Sequence, residues 1–511
     1  MNITRRSVLG VLAASTVSAL QLPADVTIAK GPFEGTRPAL EKWRVPAWFQ
    51  DAKFGIWAHW GPQSAAEYGD WYARRMYEEG GAQYKYHVQT YGHPSKFGFK
   101  DVIATWKADQ FDPDALMDLY KKAGAKYFVS MGVHHDNFDL WDSTYQPRWN
   151  SVHSGPKKDV VGLFRKAALK QGLRFGVSEH LSNSYNWLAT SHRSDKEGQY
   201  AGVPYDGTDP RFADLYHDIP PEVVWSAGAM SRNVPDAWKR RWFLRIKDLV
   251  DKYEPDLLYT DGAIPFEEYG LNLVAHLYNT NARRKHGQVE AVFTSKHKTE
   301  CATGMCVLDL ERGVADSLLP NIWQTDTCVG NWHYNKEAKY KSPKRVVDML
   351  VDIVSRNGNL LLNFPLPNSG ALDSQELRIL SEITAWMAIN GDGIYSSRPW
   401  KIFGEGPGTA PPPPNSPRFN ENSRQDLTAA DVRFTVKGTM LYAFVMGIPE
   451  KEAIVKALGT ASAQSPGMIQ NVELLGYGGK LTWKQDQNGL TVQMPPAIPS
   501  AHVLALRIAG A

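Results

Sequence analysis

Residues 112–135 read DPDALMDLYKKAGAKYFVSMGVHH, and this stretch decides the fold. Asp112 followed by Pro113 marks a helix start, because the carboxylate can accept a backbone N–H and proline suits the first helical position. The helix it opens stops near Gly124. Residues 126–134 then form an apolar run that ends on an imidazole. A run without polar alternation suits a strand covered on both faces. Working outward, strand candidates follow at 54–60, 174–180, 257–262, 290–295, 307–311, 322–327 and 360–365, which makes eight, several of them near-continuous apolar runs. Helical patterns fill many of the gaps, at 159–172, 235–253, 267–286, 343–356 and 374–390. Eight buried strands interleaved with helices predict an α/β chain, a (β/α)₈ barrel of the TIM type over residues 40–400.

The composition shifts near residue 400. Residues 404–426 are rich in Gly, Pro, Asn and Ser and include Pro411 to Pro414, so 401–427 is expected to be a linker or loop. Beyond it the pattern is all-β. Strands are expected at 431–436, 440–446, 453–457, 472–475 and 501–508, and 481–493 folds back at Asn488-Gly489. Residues 428–511 therefore predict a small C-terminal antiparallel β-sandwich. A long polar stretch, 181–233, follows the third barrel strand and would lie over the C-terminal mouth, where loops of such length are usually functional.

At the other end, Arg5-Arg6 precede an apolar run that reaches about Leu20, and residues 1–24 read as a Tat-like signal peptide. That run is too short to span a bilayer, and no second candidate follows it. The expectation is export to the periplasm or the exterior of a bacterium, with no membrane span after signal removal. A net charge of +3 on 511 residues argues against a nucleic-acid partner or an anionic membrane surface. The chain holds 17 Trp, 22 Tyr and 19 Phe, rings that can stack on sugars as readily as fill a core. Cys301, Cys306 and Cys328 allow at most one disulfide and match no zinc spacing. No metal and no cofactor is expected.

Active groups of such a barrel sit at the C-terminal ends of its strands. Those ends are His59, His134-His135, Glu179-His180, Asp261, Ser295, Glu311 and Asp326. So many polar groups would be costly to bury without a purpose. Asp261 and Glu311 stand out, because glycoside hydrolysis commonly needs two carboxyl groups, one at the anomeric carbon and one to protonate the leaving oxygen. The structural alternatives are an Asp261 that caps the next helix and a Glu311 paired with Arg312 or another base. Neutral imidazoles at His59, His134 and His135 can bond sugar hydroxyls. A metal site of His59, His134 and Asp261 is the rival reading, without a compact ligand motif behind it.

Several motifs resemble, in order, those of the α-L-fucosidases of glycoside hydrolase family 29. They are WFQDAKFGIWAHWG at 48–61, GDWYAR at 69–74, KYFVSMGVHHDNFDLWDS at 126–143, PDLLYTDG at 255–262, WHYN at 332–335, SRNGNLLLNF at 355–364 and NGDGIYSSRP at 390–399. The resemblance implies a retaining exo-hydrolase that releases terminal α-linked L-fucose from a fucosylated oligosaccharide or polysaccharide. It implies Asp261 as nucleophile, and His59, His134, His135 and Trp71 around the sugar. Trp332 would lie under the fucose methyl. Glu311 falls where the acid/base is expected, and Glu179 is a second candidate for that role. Four positions depart from the family pattern: Asp70 for a usual Glu, Ser178-Glu179-His180 for a Tyr-rich strand end, Thr294-Ser295-Lys296 for Asn-Asp-Arg, and Trp323-Gln324 for Trp-Glu. All four would border the sugar pocket, and Asp70 and Glu179 are placed among the substrate-binding residues. An α-L-galactosidase, whose sugar differs by one hydroxyl, is the near alternative. A non-catalytic sugar-binding protein on a degenerate barrel is the distant one. Transglycosylation would use the same nucleophile.

Overall fold

Asn359, Asn363 and the apolar residues between them close a ring. In the computed structural model, which describes residues 23–220, 223, 233–410, 421 and 426–510, strand β8 (Gly358–Asn363) pairs in parallel with β1 (Phe54–Ala58). Between them run β2 (Tyr127–Val133), β3 (Arg174–Glu179), β4 (Leu257–Thr260), β5 (Val292–Ser295), β6 (Val307–Asp309) and β7 (Trp323–Cys328). Neighbours in sequence are neighbours in space, and the eight strands form one closed parallel barrel. Helices on the outside cover the strands, which is why several of them, β2, β4 and β8 among them, are near-continuous apolar runs. Closure needs small residues where side chains crowd. A Cβ on Gly55 would meet the Tyr127 ring at 2.3 Å, so that ring packs directly on the β1 backbone.

The helix signals act as expected from their chemistry. The Asp112 carboxylate accepts the Ala115 N–H at the head of helix Pro113–Lys122, and Asp159 accepts that of Gly162 at the head of Val160–Lys170. The stretch after β3 is built of short turns, among them Ser184–Trp187, Leu188–His192 and Ala213–Tyr216. Among the described residues no helix is long and apolar enough to cross a membrane.

The C-terminal part holds two antiparallel sheets. One has five strands in the order β13 (Asn471–Leu474), β16 (Leu504–Ala509), β11 (Met440–Val445), β10 (Val432–Lys437), β9 (Arg398–Glu405). The other has the order β12 (Glu452–Val455), β15 (Gly489–Gln493), β14 (Trp483–Asp486), with the last two joined at Asn488-Gly489. Strand β9 corrects the expectation of a linker from residue 401: its second half lies in that stretch. It is an edge strand, the place in a sheet where Pro399 is tolerated. Within the rest of the expected linker, 411–420 and 422–425 lie outside the described residues, as do residues 1–22 of the expected signal and most of 221–232. Sandwich and barrel meet through buried polar groups. Arg433, fully buried, pairs with Asp352 of helix Pro343–Ser355, and the Trp386 indole N–H donates to the Val503 carbonyl.

Candidate active site

The parallel barrel brings its C-terminal strand ends to one mouth, and there the carboxylates gather around a lysine. Lys296, the residue after β5, places its Nζ 2.8 Å from Asp261 Oδ1, 2.5 Å from Glu311 Oε2 and 3.7 Å from Asp326 Oδ2. Asp261 follows β4, and its other oxygen lies 3.4 Å from His135 Nε2 and 3.3 Å from His180 Nδ1. The next helix begins at Glu268, so Asp261 does not cap it. Glu311 pairs with Lys296, whereas the neighbouring Arg312 turns to Glu421. Behind the lysine, Asp326 accepts the Tyr259 hydroxyl at 2.8 Å, and Gln324 Nε2 donates to Asp309 at 2.7 Å. The Asp261 and Glu311 side chains keep 21% and 20% of their surface, so a ligand from solvent can reach both.

These neighbours push the two carboxyls in opposite directions. Burial alone would raise the Asp261 carboxyl, but the Lys296 ammonium and the close imidazoles of His135 and His180 outweigh it and hold the group well below the usual carboxylate range. Glu311 moves up: burial dominates, the charges of Asp326 and Asp261 add to it, and Lys296 offsets them only in part. Lys296 itself is held well above the ordinary lysine value, since the carboxylates around it outweigh its burial. A carboxyl held low beside one pushed up is the division of labour that acid-assisted displacement needs.

A set of imidazoles adjoins this centre. The His59 ring centroid lies 5.0 Å from His134, 5.1 Å from His180, 4.6 Å from His333 and 5.5 Å from the Trp332 ring. His134 is bonded to Gln63 Nε2 at 2.9 Å, and His135 Nδ1 donates to the His180 carbonyl at 2.7 Å, which leaves Nε2 for Asp261. Burial, with the neighbouring imidazoles, keeps His59 and His134 well below the ordinary histidine value, and His333 is lowered to about 3. They are therefore neutral at physiological pH, each able to donate at one nitrogen and accept at the other. Both ring nitrogens of His59 and of His333 lack a hydrogen-bond partner among the described residues. Buried polar atoms of that kind call for a ligand or water. Two triads, His59–His134–His333 and His134–His135–His180, have ligand nitrogens within 4.8 Å of one another and could also hold a metal ion.

Asn363, the last residue of β8, fixes two of these groups at once. Its Oδ1 accepts the His59 N–H and its Nδ2 donates to the Trp332 carbonyl, both at 2.8 Å. Asp70 accepts the His333 N–H at 2.6 Å, so it shapes the loop that presents Trp332 and His333. Trp71, in left-handed backbone with φ 61°, stands edge-on to His135 with centroids 6.2 Å apart.

Glu179 is the exception, and the expectation of a sugar-binding or proton-donating Glu179 is corrected here. Its carboxylate is fully buried. It accepts the Leu181 and Ser182 N–H groups at 3.0 and 3.4 Å, the Trp242 indole at 3.0 Å and the Thr260 hydroxyl. With four donors on it, the group faces the helix Asp236–Tyr253 and not the mouth. Side chains of a strand alternate between faces, so the residue that turns inward at this end is the next one, His180. His180, His333 and Lys296 were not among the expected site residues. His180 was read as a strand end, and His180 and Lys296 both stood among the departures expected to border the pocket, though neither was given a role; His333 was named only within the WHYN stretch.

The chain matches the family model described as Alpha-L-fucosidase over residues 20–392, and the model for the Alpha-L-fucosidase C-terminal domain over 424–509. It belongs to the α-L-fucosidase family. Human tissue alpha-L-fucosidase is 27% identical over 476 residues, 91% of this chain and 88% of that protein. The alpha-L-fucosidase of Branchiostoma floridae is 25% identical over 94% of this chain and 96% of its own. Among solved structures, the alpha-fucosidase of Thermotoga maritima in complex with fucose matches with a TM-score of 0.71 and 25% identity, covering 93% of this chain and 99% of that one. This fucosidase is thus a glycosidase that releases α-linked L-fucose. The matches do not favour an α-L-galactosidase or a non-catalytic barrel.

Proposed function

We propose that the fucosidase works by double displacement with retention, with Asp261 as nucleophile and Glu311 as acid/base. The observation that carries this reading is the lysine shared between them. Because both carboxylates touch Lys296 Nζ, their nearest oxygens lie no farther apart than the two contacts laid end to end, roughly 5.3 Å. A separation of about 5–5.5 Å leaves no room for a water beneath the sugar and suits direct attack. In the first step Asp261 bonds to the anomeric carbon while the glycosidic bond breaks, and Glu311 gives its proton to the leaving oxygen. In the second, Glu311 takes a proton from water, the water oxygen bonds to the anomeric carbon, and Asp261 departs. Neutral His59, His134 and His333, with His135, hold the sugar hydroxyls, Trp71 stands beside them, Asp70 orders the His333 loop and Trp332 offers its face to the fucose methyl.

The test is Asp261→Gly on an aryl α-L-fucoside, with azide added. Loss of turnover, restored by azide as the fucosyl azide of inverted configuration, is expected. Turnover by the variant close to wild type would overturn the assignment.

We also infer export through the leader at Arg5-Arg6, with terminal fucose of fucosylated glycans outside the cytoplasm as substrate. The Cys301–Cys306 disulfide supports it, since such bonds persist in oxidising compartments. Fractionation of cells carrying the wild-type or an Arg5→Lys, Arg6→Lys chain tests this. Equal distribution of the two chains would count against the twin-arginine route.

A further inference from the structure

The chain that leaves β9 comes back to the barrel mouth at a single described residue, Glu421, between 411–420 and 422–425. Glu421 retains only 2% exposure, and every one of its polar groups is engaged. Oε1 contacts Arg312 Nε at 2.5 Å and Lys341 Nζ at 3.3 Å, and Oε2 accepts the Thr327 hydroxyl at 2.6 Å. Its N–H donates to the Arg312 carbonyl at 3.1 Å, and its own carbonyl accepts Arg345. Residue 312 is therefore gripped at both side chain and main chain by one residue 109 positions away. Burial would raise the Glu421 carboxyl, but Lys341, Thr327 and Arg312 together hold it low, so it stays charged.

Arg312 is the residue next to Glu311, and its backbone is left-handed, with φ 44°. Residues with a Cβ adopt that region rarely and hold it when the surroundings determine it. Three contacts do so here: the Arg312 N–H donates to the Asp326 carbonyl at 2.8 Å, and Glu421 supplies the other two. On the far side the Thr325 hydroxyl reaches the Gly313 carbonyl at 2.6 Å. The turn that aims Glu311 thus rests on β7 from one direction and on Glu421 from the other.

We propose that Glu421 is a positioning residue for the acid/base: it locks Arg312 in its left-handed conformation and thereby fixes where Glu311 delivers its proton. The inference rests on the assignment of Glu311 made above. Residues that act this way matter in proportion to the proton transfer they serve. A leaving group of low basicity departs without much help, whereas a basic one needs a well-placed acid. A purely structural Glu421, one that only fastens the sandwich to the barrel, would affect all substrates alike.

The test is a leaving-group series. kcat/KM is measured for aryl α-L-fucosides from dinitrophenyl to methoxyphenyl with wild type, Glu421→Gln, Glu421→Asp and Glu311→Ala. Glu421→Gln is expected to lose at least about tenfold on the methoxyphenyl substrate and to stay within about threefold on the dinitrophenyl one. Glu421→Asp, which keeps the charge, should recover part of the loss. Arg312→Met gives the same reading from the other partner if Glu421→Gln fails to fold. A loss equal across the series, or none, while Glu311→Ala shows the steep dependence, overturns the role of Glu421 alone. A flat series for Glu311→Ala overturns the acid/base assignment, and this inference with it.

Discussion

Replacing Lys296 with methionine removes the one ammonium that touches both proposed catalytic carboxylates, and the outcome can be worked from the geometry. At 2.8 Å from Asp261, with an effective dielectric of about 20, the gross attraction is about 6 kcal/mol. Methionine spares the cost of burying the ammonium, which offsets part of that, and breaking buried pairs by deleting one partner typically costs about 3–5 kcal/mol. The lower figure applies here, because His135 and His180 remain beside Asp261, and burial already pushes the Glu311 carboxyl up. The sign follows from Asp261, whose carboxyl is depressed in the folded chain. Its contribution to stability is present above the unfolded carboxylate value and disappears as the pH falls through the folded one. Urea denaturation should therefore show a deficit of about 3 kcal/mol at neutral pH that narrows in acid. In the pH profile of kcat/KM on an aryl α-L-fucoside, the acidic limb should move to higher pH as Asp261 loses its strongest lowering neighbour, and the basic limb should follow as Glu311 loses the same one. Lys296→Arg should keep both limbs near their wild-type positions. Unmoved limbs in Lys296→Met, with a deficit constant across pH, would refute the reasoning.

Other expectations concern stability and can be read by denaturation. Glu179→Gln turns one buried acceptor into a donor that faces donors and should cost about 2 kcal/mol, while the leaving-group dependence of turnover stays as in wild type. Reduction of the Cys301–Cys306 bond, which closes a loop of sequence separation 5, should cost about 2 kcal/mol; an unchanged midpoint in reductant would contradict it. Arg433→Met leaves Asp352 buried with Arg356 and should cost about 3 kcal/mol, detected as a lower urea midpoint.

Much of the barrel was legible because strands such as β1, β2, β4 and β8 are buried on both faces, and a doubly buried strand writes itself as an apolar run. The ends of those runs named Asp261 and Glu311 for the same reason: polarity there has no structural excuse. What the runs do not encode is which way the last residue points. Glu179 and His180 are adjacent, and only the two-residue alternation of β3, with Trp242 packed outside it, separates a saturated structural carboxylate from an imidazole beside Asp261. Lys296 and His333 were named without roles because those roles arise from groups on other strands and loops. Strand β9 was hidden by composition, since a proline and two glycines sit in or just after an edge strand whose free side imposes little pattern. Glu421 left no trace at all, being a single acid in a proline-rich stretch.

The grip of Glu421 on Arg312 also sets an order of events in the life of the chain. A ribosome finishes the eighth barrel strand at Asn363, so the barrel can close while the sandwich is still unmade. About 60 further residues must be added before Glu421 arrives, a delay of roughly 3–12 s at ordinary speeds of synthesis. Through that interval the newborn barrel holds Asp261 and Lys296 but lacks the outer clamp on the turn beside Glu311. A gene shortened at residue 400 would freeze the protein at that stage.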